Sequence, residues 1–158
     1  MDLILRPYQA ADKQACLDLF RGNIPHFFAP HEEAEFTDFL EHEIKDCDYF
    51  VLEGDRKPLG CGGTYSVGSV AGLCWGLVDH ARHRRGLGSF LLRGRLERLY
   101  NHHPGVEEVR LDTSQHSQGF FARFGFVTTT ITRDGYAPGL DRYDMKLTRA
   151  ALAKAVTP

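Results

Sequence analysis

The hydrophobic and polar positions of this chain switch between the two-residue period of a strand and the 3.6-residue period of a helix. The predicted strands are Leu3–Arg6, Tyr49–Glu53, Leu59–Val67, Val70–Val78, Val106–Thr113, Phe126–Thr132 and Arg142–Leu147. The predicted helices are Gln9–Arg21, His31–Ile44, Leu87–Tyr100 and Ser114–Phe124, with one or two helical turns over Arg149–Val156. Each helix has one hydrophobic face, so every helix is expected to pack against a sheet.

The order of these elements predicts a mixed α/β fold. Gly68 and Ser69 are typical of a two-residue hairpin turn, which makes the central strands antiparallel. A strand–loop–helix unit follows at Val70–Tyr100, and such units connect strands across a sheet. We therefore expect residues 1–158 to form one domain, with helices on both faces of the sheet.

The periodicity also predicts which side chains face the core. On strand Val70–Val78 strict alternation places Ala71, Leu73, Trp75 and Leu77 on one face. On helix Leu87–Tyr100 the inward residues are Leu92, Leu96, Leu99 and Tyr100, and the outward residues are Arg93, Arg95, Glu97 and Arg98. The glycines and the proline of Arg133–Leu140 predict a loop.

Composition narrows the classes of function. A formal net charge of −2 disfavours a nucleic-acid-binding protein. No apolar run reaches membrane-spanning length and the N-terminus has no signal-peptide pattern, so we expect a cytoplasmic protein without a membrane anchor. The four cysteines show no C-x-x-C spacing and are interpreted as reduced core thiols, and no motif indicates a metal site.

The most informative stretch runs from His83 to Leu92, directly after a hydrophobic strand. Arg84 and Arg85 precede Gly86 and Gly88, and an amphipathic helix starts at once. Free backbone N–H groups at a helix start bind phosphate, and glycines let the backbone approach the anion. A triphosphatase P-loop would need a lysine after its second glycine, and a dinucleotide fingerprint would need a third glycine, which this stretch lacks. The sequence predicts a phosphate-bearing cofactor of another kind.

Two motifs resemble those of the GNAT superfamily of acyl-CoA-dependent N-acyltransferases. Residues Val78–Leu92 resemble motif A, Arg/Gln-x-x-Gly-x-Gly/Ala after the fourth strand. Residues Phe120–Phe126 resemble the end of motif B, commonly Tyr-x-x-x-Gly-Phe on a short helix leading into a strand. The resemblance covers nearly the whole chain. It implies a mostly antiparallel sheet of about seven strands that diverges between strands 4 and 5.

The resemblance also implies acetyl-CoA as the cofactor. The N–H groups of Arg84–Ser89 would bind the pyrophosphate, and the pantetheine arm would lie between Val78 and the strand that begins near Val106. The N–H of Val78 would polarise the thioester carbonyl. The implied cofactor-binding residues are Leu77, Val78, His83, Arg84, Arg85, Gly86, Leu87, Gly88, Ser89, Ser114, Ser117 and Phe121.

Two positions depart from the family pattern. His83 stands where arginine or glutamine is usual, and Phe121 stands where a tyrosine often protonates the departing thiolate. The acid would then be Tyr136, Tyr143 or His116, or the thiolate would leave unaided, since a thiol pKa lies near 8.5. For the base, which an alkyl amine requires at neutral pH, the candidates are Asp79, Asp112, His116, Glu32, Glu33 and a chain of water molecules.

The acceptor pocket, by the same resemblance, lies between Ile24–Pro30 and Gly135–Leu140. Phe27, Phe28 and Tyr136 are the candidate walls. The hypothesis is acetyl transfer to a small-molecule or peptide amine by direct attack in a ternary complex. The alternative is a CoA-binding sensor or interaction module without significant catalysis. Many members of the family form dimers, so the resemblance also allows a homodimer.

Overall fold

In the computed structural model, residues 2–82 and 85–157 are described, and they form a seven-stranded sheet in the order β1-β2-β3-β4-β5-β7-β6. The strands are β1 (Leu3–Pro7), β2 (Asp48–Gly54), β3 (Lys57–Val67), β4 (Val70–Val78), β5 (Glu108–Thr113), β6 (Val127–Ala137) and β7 (Leu140–Thr148). The helices are α1 (Lys13–Arg21), α2 (Glu32–Asp38), α3 (Leu87–His102), α4 (Gln118–Arg123) and α5 (Arg149–Val156). Short 3₁₀ turns cover Ala10–Asp12, Ile44–Asp46 and His80–Arg82, and a π-helical turn covers Phe39–Glu43. The predicted fold class is confirmed.

Strands β4 and β5 form the one parallel pair of the described sheet, and they pair only at their first residues. The pairs are Val70 with Glu108, Ala71 with Val109 and Gly72 with Arg110. Beyond Gly72 the two strands separate, while β5 continues to pair with β7 as far as Thr113. A gap therefore opens between residues 73–78 of β4 and residues 111–113 of β5, and we call it the β4–β5 opening.

A bulge interrupts β4 beside this opening. Cys61 pairs with Leu77 and Gly63 pairs with Cys74, so Gly62 of β3 faces two residues of β4, Trp75 and Gly76. Trp75 has φ of 43°, in the left-handed region. The buried Tyr49 hydroxyl donates to the Trp75 carbonyl at 2.8 Å and helps to fix this conformation.

The bulge makes one sequence prediction wrong. Strict alternation put Ala71, Leu73, Trp75 and Leu77 on the same face. Ala71 and Leu73 belong to the core on the α3 and α5 side, but Trp75 and Leu77 pack with α1 and α2 on the opposite side. One extra residue in a strand shifts the side-chain alternation by one, which reverses the faces after the bulge.

The core lies on both faces of the sheet. On one face Leu92, Leu96 and Leu99 of α3 pack with β5, β7 and α5. On the other, Cys16 and Phe20 of α1 pack with α2, β2 and β3. The helices thus bury the hydrophobic stripes that the sequence predicted, with one exception on α3: Arg95, predicted to face solvent, is fully buried.

The predicted loop Arg133–Leu140 is also wrong in extent. Strand β6 continues to Ala137, and only Pro138 and Gly139 separate it from β7. Asp134 keeps the hairpin together because its carboxylate accepts from Gly139 N–H and its own N–H donates to Asp141, both at 2.8 Å. Tyr136 therefore lies on a strand and not in a loop.

Several helices are shorter than predicted. Gln9 and Asp12 form a capping box, which turns the start of the predicted first helix into the 3₁₀ turn Ala10–Asp12. The second predicted helix passes through the π-helical turn after Asp38. Before α4, the Ser114 carbonyl accepts from the N–H groups of Ser117 and Gln118, so a turn precedes the helix. Across residues 2–82 and 85–157, no helix combines the length and hydropathy of a membrane span.

Candidate active site

The N-terminus of α3 presents free N–H groups beside the C-terminal end of β4. Gly86 caps the helix in the left-handed conformation, with φ of 82°. The first hydrogen bond of the helix runs from the Phe90 N–H to the Gly86 carbonyl at 3.0 Å. The N–H groups of Leu87, Gly88 and Ser89 come before it and have no acceptor within the helix. Such free N–H groups at a helix start can bind an anion, as the sequence predicted for this stretch.

The surroundings of this helix start suit a large anionic ligand. Arg85 and Gly86 are exposed, and the buried Leu87 side chain anchors the first turn. A Cβ on Gly86 would meet nothing within 4 Å, so glycine serves the backbone conformation there and the approach stays open. His83 and Arg84, which the sequence also assigned to cofactor binding, lie outside the described residues.

Val78 directs its backbone polar groups into the β4–β5 opening. The next N–H, that of Asp79, donates to the Leu59 carbonyl of β3 at 2.8 Å. Backbone groups alternate sides along a strand, so the N–H and C=O of Val78 point away from β3 and toward β5. The buried Asn23 side chain donates to that Val78 carbonyl at 3.0 Å. The backbone N–H and C=O of Leu77 point the opposite way, toward β3. Its side chain is buried against α1 and α2.

The segment between α1 and α2 crosses the opening. His26 stacks on His116, which follows β5, with 4.1 Å between ring centroids. Phe27 contacts His116 edge-on at 6.2 Å and His80, which follows β4, at 6.0 Å. Phe28 points elsewhere and packs on Phe20, with centroids 4.6 Å apart. Of the two predicted wall residues in this segment, Phe27 borders the opening, whereas the partly buried Phe28 packs against the core.

Acidic and phenolic groups gather at the end of β5. The Tyr136 hydroxyl donates to the Asp112 carboxylate at 2.5 Å, and an Arg142 nitrogen lies 3.8 Å from the same carboxylate. Burial, and then the Asp112 charge, raise the pKa of Tyr136, so the phenol keeps its proton. Tyr136 and Asp112 are thus brought together, and each already has a partner.

Glu32 lies within electrostatic reach of this pair. Its side chain is buried, with 6% of the residue exposed, and it accepts from the Ala29 N–H at 3.0 Å. Burial raises the pKa of Glu32, and the Asp112 charge acts in the same direction. A carboxylate with a raised pKa is a stronger base than an ordinary one.

His116 is the second proton acceptor at the opening. Partial burial, with a smaller contribution from His26, lowers the pKa of His116 below the usual 6.5. The ring is therefore neutral at pH 7 and has a nitrogen that can accept a proton.

The remaining candidates for the base are already engaged. Asp79 accepts from the Ala81 N–H at 3.1 Å and lies 3.4 Å from Arg82. Glu33 forms an ion pair with Arg21 at 2.9 Å. These two carboxylates pair with arginines, so Glu32, whose hydrogen bond is to a backbone N–H, His116 and a chain of water molecules remain as candidate bases.

Three residues expected to bind the cofactor lie near one another after β5. The buried Ser114 hydroxyl accepts from the His116 N–H at 3.2 Å, and Ser117 is the residue before α4. Phe121 is partly buried and packs against Phe126, with centroids 5.8 Å apart, at the edge of the core on the α3 side. Tyr143, a candidate acid, packs against the same core.

Asn23 and Arg95 were missed as residues of functional interest. The sequence did contain a signal for Arg95, which lies four residues from both Leu91 and Leu99 and so shares their buried face. Asn23 carried no such signal, because its partner Val78 is distant in sequence.

One cavity among the described residues lies away from the β4–β5 opening. It has a volume of about 480 Å³ and lies where α3 ends, between residues such as Tyr8, Phe50, Arg98 and His103. Size alone therefore does not identify the site, and the backbone geometry of β4 and α3 does. Among the described residues, no group of histidines, cysteines and carboxylates could hold a metal ion.

Comparison with known proteins agrees with this geometry. The model of the acetyltransferase (GNAT) domain family matches residues 22–149. No curated protein matches the chain significantly. Among solved structures, a putative GNAT acetyltransferase from Desulfovibrio desulfuricans has a TM-score of 0.77 at 18% identity, covering 93% of this chain and 99% of its own.

Two further structures share the fold. The ribosomal-protein-S18-alanine N-acetyltransferase of Escherichia coli has a TM-score of 0.76 at 22% identity, covering 93% of this chain and 94% of its own. The spermidine N-acetyltransferase of Vibrio cholerae, in complex with CoA and spermine, has a TM-score of 0.72 at 14% identity, covering 96% and 98%.

The chain belongs to the GNAT acetyltransferase family. It is an acyltransferase, and its cofactor is acetyl-CoA. The described residues fit this cofactor, because free N–H groups at α3 suit a pyrophosphate and the opening beside Val78 offers strand edges to an extended arm.

Proposed function

We propose that this protein transfers the acetyl group of acetyl-CoA to a primary amine by direct attack in a ternary complex. The observation that carries the proposal is the direction of the Val78 N–H, into an opening that ends at the free N–H groups of α3. Acetyl-CoA supplies an activated acyl group. The ammonium form of the acceptor first loses one proton. The amine nitrogen then bonds to the acetyl carbon, the carbon–sulfur bond breaks, the sulfur leaves as a thiolate, and the nitrogen loses a second proton to that thiolate.

In this proposal the backbone holds the cofactor. The N–H groups of Leu87, Gly88 and Ser89 bind the pyrophosphate, with Arg85 beside them. The Val78 N–H donates to the thioester carbonyl oxygen and favours negative charge there. No side-chain acid is needed for a thiolate whose conjugate thiol has a pKa near 8.5. Phe121 is consistent with such unaided departure.

The acceptor enters between Phe27 and Tyr136, where Asp112 and Glu32 supply negative charge. A primary alkyl amine is a cation at neutral pH, with a pKa near 10.4, and these carboxylates favour its approach. Glu32 or His116 then takes the proton. The named activities of two structural relatives, on spermidine and on a protein N-terminal alanine, are consistent with an amine acceptor.

A thiol-release assay tests the proposal. Acetyl-CoA is supplied with polyamines, amino acids, aminoglycosides and peptides with free N-termini, and acetylated products are identified by mass. Thiol release together with an acetylated amine is the expected result. Tight binding of CoA without turnover on any amine would favour the alternative, a CoA-binding sensor.

Gly88→Glu tests the cofactor site. A carboxylate among the N–H groups of α3 repels a pyrophosphate, so CoA should bind at least about 100-fold more weakly. Gly105→Glu is the matched control, since a side chain there meets nothing within 4 Å and lies beyond the far end of α3. Calorimetric titration measures both affinities. Equal CoA affinity in the two variants would remove the basis of the site.

A further inference from the structure

Arg95 buries a charge behind the bulge of β4. Only 4% of the residue is exposed, and the side chain reaches from α3 to the sheet. Its guanidinium lies against two glycines: a Cβ on Gly76 would be 2.7 Å from one of its nitrogens, and a Cβ on Gly62 would be 3.1 Å from its carbon. These two glycines face each other across the bulge, so the guanidinium occupies the space that their missing side chains leave.

No carboxylate of residues 2–82 and 85–157 balances this charge. Among the described residues, the guanidinium has one hydrogen bond, to the Gly63 carbonyl at a long 3.4 Å, and its Nε has no partner. The ionisable groups that act on it are Cys74, Tyr49 and Cys61, and no ion pair involves it in the part of the chain described. Arginine remains protonated in proteins, so the site carries a full positive charge.

A contribution to the stability of the fold does not explain a buried arginine such as Arg95, which is unpaired among the described residues. An unpaired buried charge is costly, and replacement of buried ionic groups by apolar side chains is often neutral or stabilising. Polar groups that a fold retains against this cost are found disproportionately at functional sites. The position of the Arg95 charge in the fold indicates which function it serves.

The guanidinium and the Tyr49 hydroxyl approach the bulge from opposite faces of the sheet. Tyr49 holds the Trp75 carbonyl from the α1 and α2 side, and Arg95 lies against Gly76 from the α3 side. Gly76 itself is exposed, on the part of β4 that has no strand partner toward β5. The guanidinium thus lies against the stretch of β4 that borders the opening.

We propose that Arg95 is a positioning residue for acyl transfer, whose buried charge acts through the bulged backbone of β4 on the thioester in the β4–β5 opening without contacting it. The inference rests on the proposed placement of the cofactor in that opening. A positive charge behind the strand favours negative charge on the thioester oxygen and on the departing sulfur. It also orients the peptide groups next to Val78.

The effect of the Arg95 charge can be measured as a change in the pKa of the thiol of bound CoA, without any acceptor amine. A unit charge about 10 Å away, at an effective dielectric constant of about 20, changes a thiol pKa by about 1. The thiol is titrated by its thiolate absorbance in the complex with CoA. The wild type is compared with neutral Arg95→Met and Arg95→Gln and with charged Arg95→Lys.

The expected result is a thiol pKa about 1 higher in the two neutral variants and close to the wild-type value in Arg95→Lys. For any amine that the wild type acetylates, kcat should fall about 10-fold in the neutral variants while the Kd of CoA changes less than about 3-fold. Arg98→Met, on the exposed surface of α3 three residues further on, should behave as wild type.

An unchanged thiol pKa in a folded neutral variant would overturn the proposal. Failure of both neutral variants to fold would also overturn it, because Arg95 would then serve stability. A wild type that binds CoA but acetylates no amine would contradict the proposed function, and the thiol titration would still decide the role of Arg95. A wild type that does not bind CoA would overturn both.

Discussion

The raised pKa of Glu32 can be tested through the pH dependence of the free energy of unfolding. Burial raises its pKa, so the folded protein binds this proton more tightly than the unfolded chain does. Stability from this group is therefore complete below its ordinary pKa of 4.5 and declines as pH rises through the raised value. Wild-type Glu32 thus costs folding free energy at neutral pH.

Glu32→Gln should remove that cost, because glutamine keeps an oxygen for the Ala29 N–H and carries no charge. Urea unfolding of both proteins at pH 4 and at pH 7.5 measures the effect. The variant should gain stability relative to wild type as pH rises. A difference that is the same at both pH values would show that Glu32 ionises normally.

The role of Glu32 as a base is a separate question from its burial. If it takes the amine proton, Glu32→Gln should lower kcat/KM by at least about 100-fold, the usual contribution of general-base catalysis. His116→Ala is the matched comparison, because His116 is the other acceptor at the opening. Loss of activity in His116→Ala, with Glu32→Gln unaffected, would assign the base to the histidine.

The segment between α1 and α2 crosses the β4–β5 opening and joins the two sides of the site. Its two neighbouring phenylalanines are expected to have different roles, one in binding the amine and the other in stability. Phe28→Ala removes packing on Phe20 and Trp75 and should cost about 3 kcal/mol of unfolding free energy. Phe27→Ala removes a wall of the opening and should raise KM for the amine with little loss of stability. Thermal unfolding and steady-state kinetics on both variants test this.

Phe27→Ala and Phe28→Ala serve as each other's control, since they remove the same side chain at adjacent positions. If Phe27→Ala destabilised the protein as much as Phe28→Ala and left KM for the amine unchanged, the segment would be only a structural cover. The acceptor would then have to reach the thioester by another route.

At the scale of the whole molecule, local sequence patterns predicted most of the architecture. Periodicity located the strands and the main helices because each buries one regular face, and the glycine motif after β4 located the start of α3. The exceptions share a physical origin: Trp75, Arg95 and Tyr136 are placed by contacts between elements far apart in sequence. Side-chain periodicity describes one element at a time, so it cannot show the bulge of β4 or the Asp112 partner of Tyr136. For Arg95 the spacing indicates a buried face, but not what the charge lies against.

The site was predictable to a similar extent. The backbone groups at Gly86–Ser89 follow from local sequence, because a helix start needs no distant partner to offer its N–H groups. Asn23 against Val78, His26 on His116 and Tyr136 on Asp112 all join residues separated by more than 20 positions. The free N–H groups at the start of α3 could therefore be predicted from the sequence, whereas the contacts on the proposed acceptor side required the fold.

The placement of the thioester beside Val78 is the central claim, and amide chemical shifts test it most directly. A non-hydrolysable acetyl-CoA analogue is titrated into ¹⁵N-labelled protein and followed by heteronuclear correlation spectra. The amides of Val78, Leu87, Gly88 and Ser89 should shift downfield in saturable fashion, as expected for N–H groups that gain acceptors. If these amides did not move, and those around the separate cavity at Phe50 and His103 shifted instead, the cofactor would bind elsewhere and the account would be wrong.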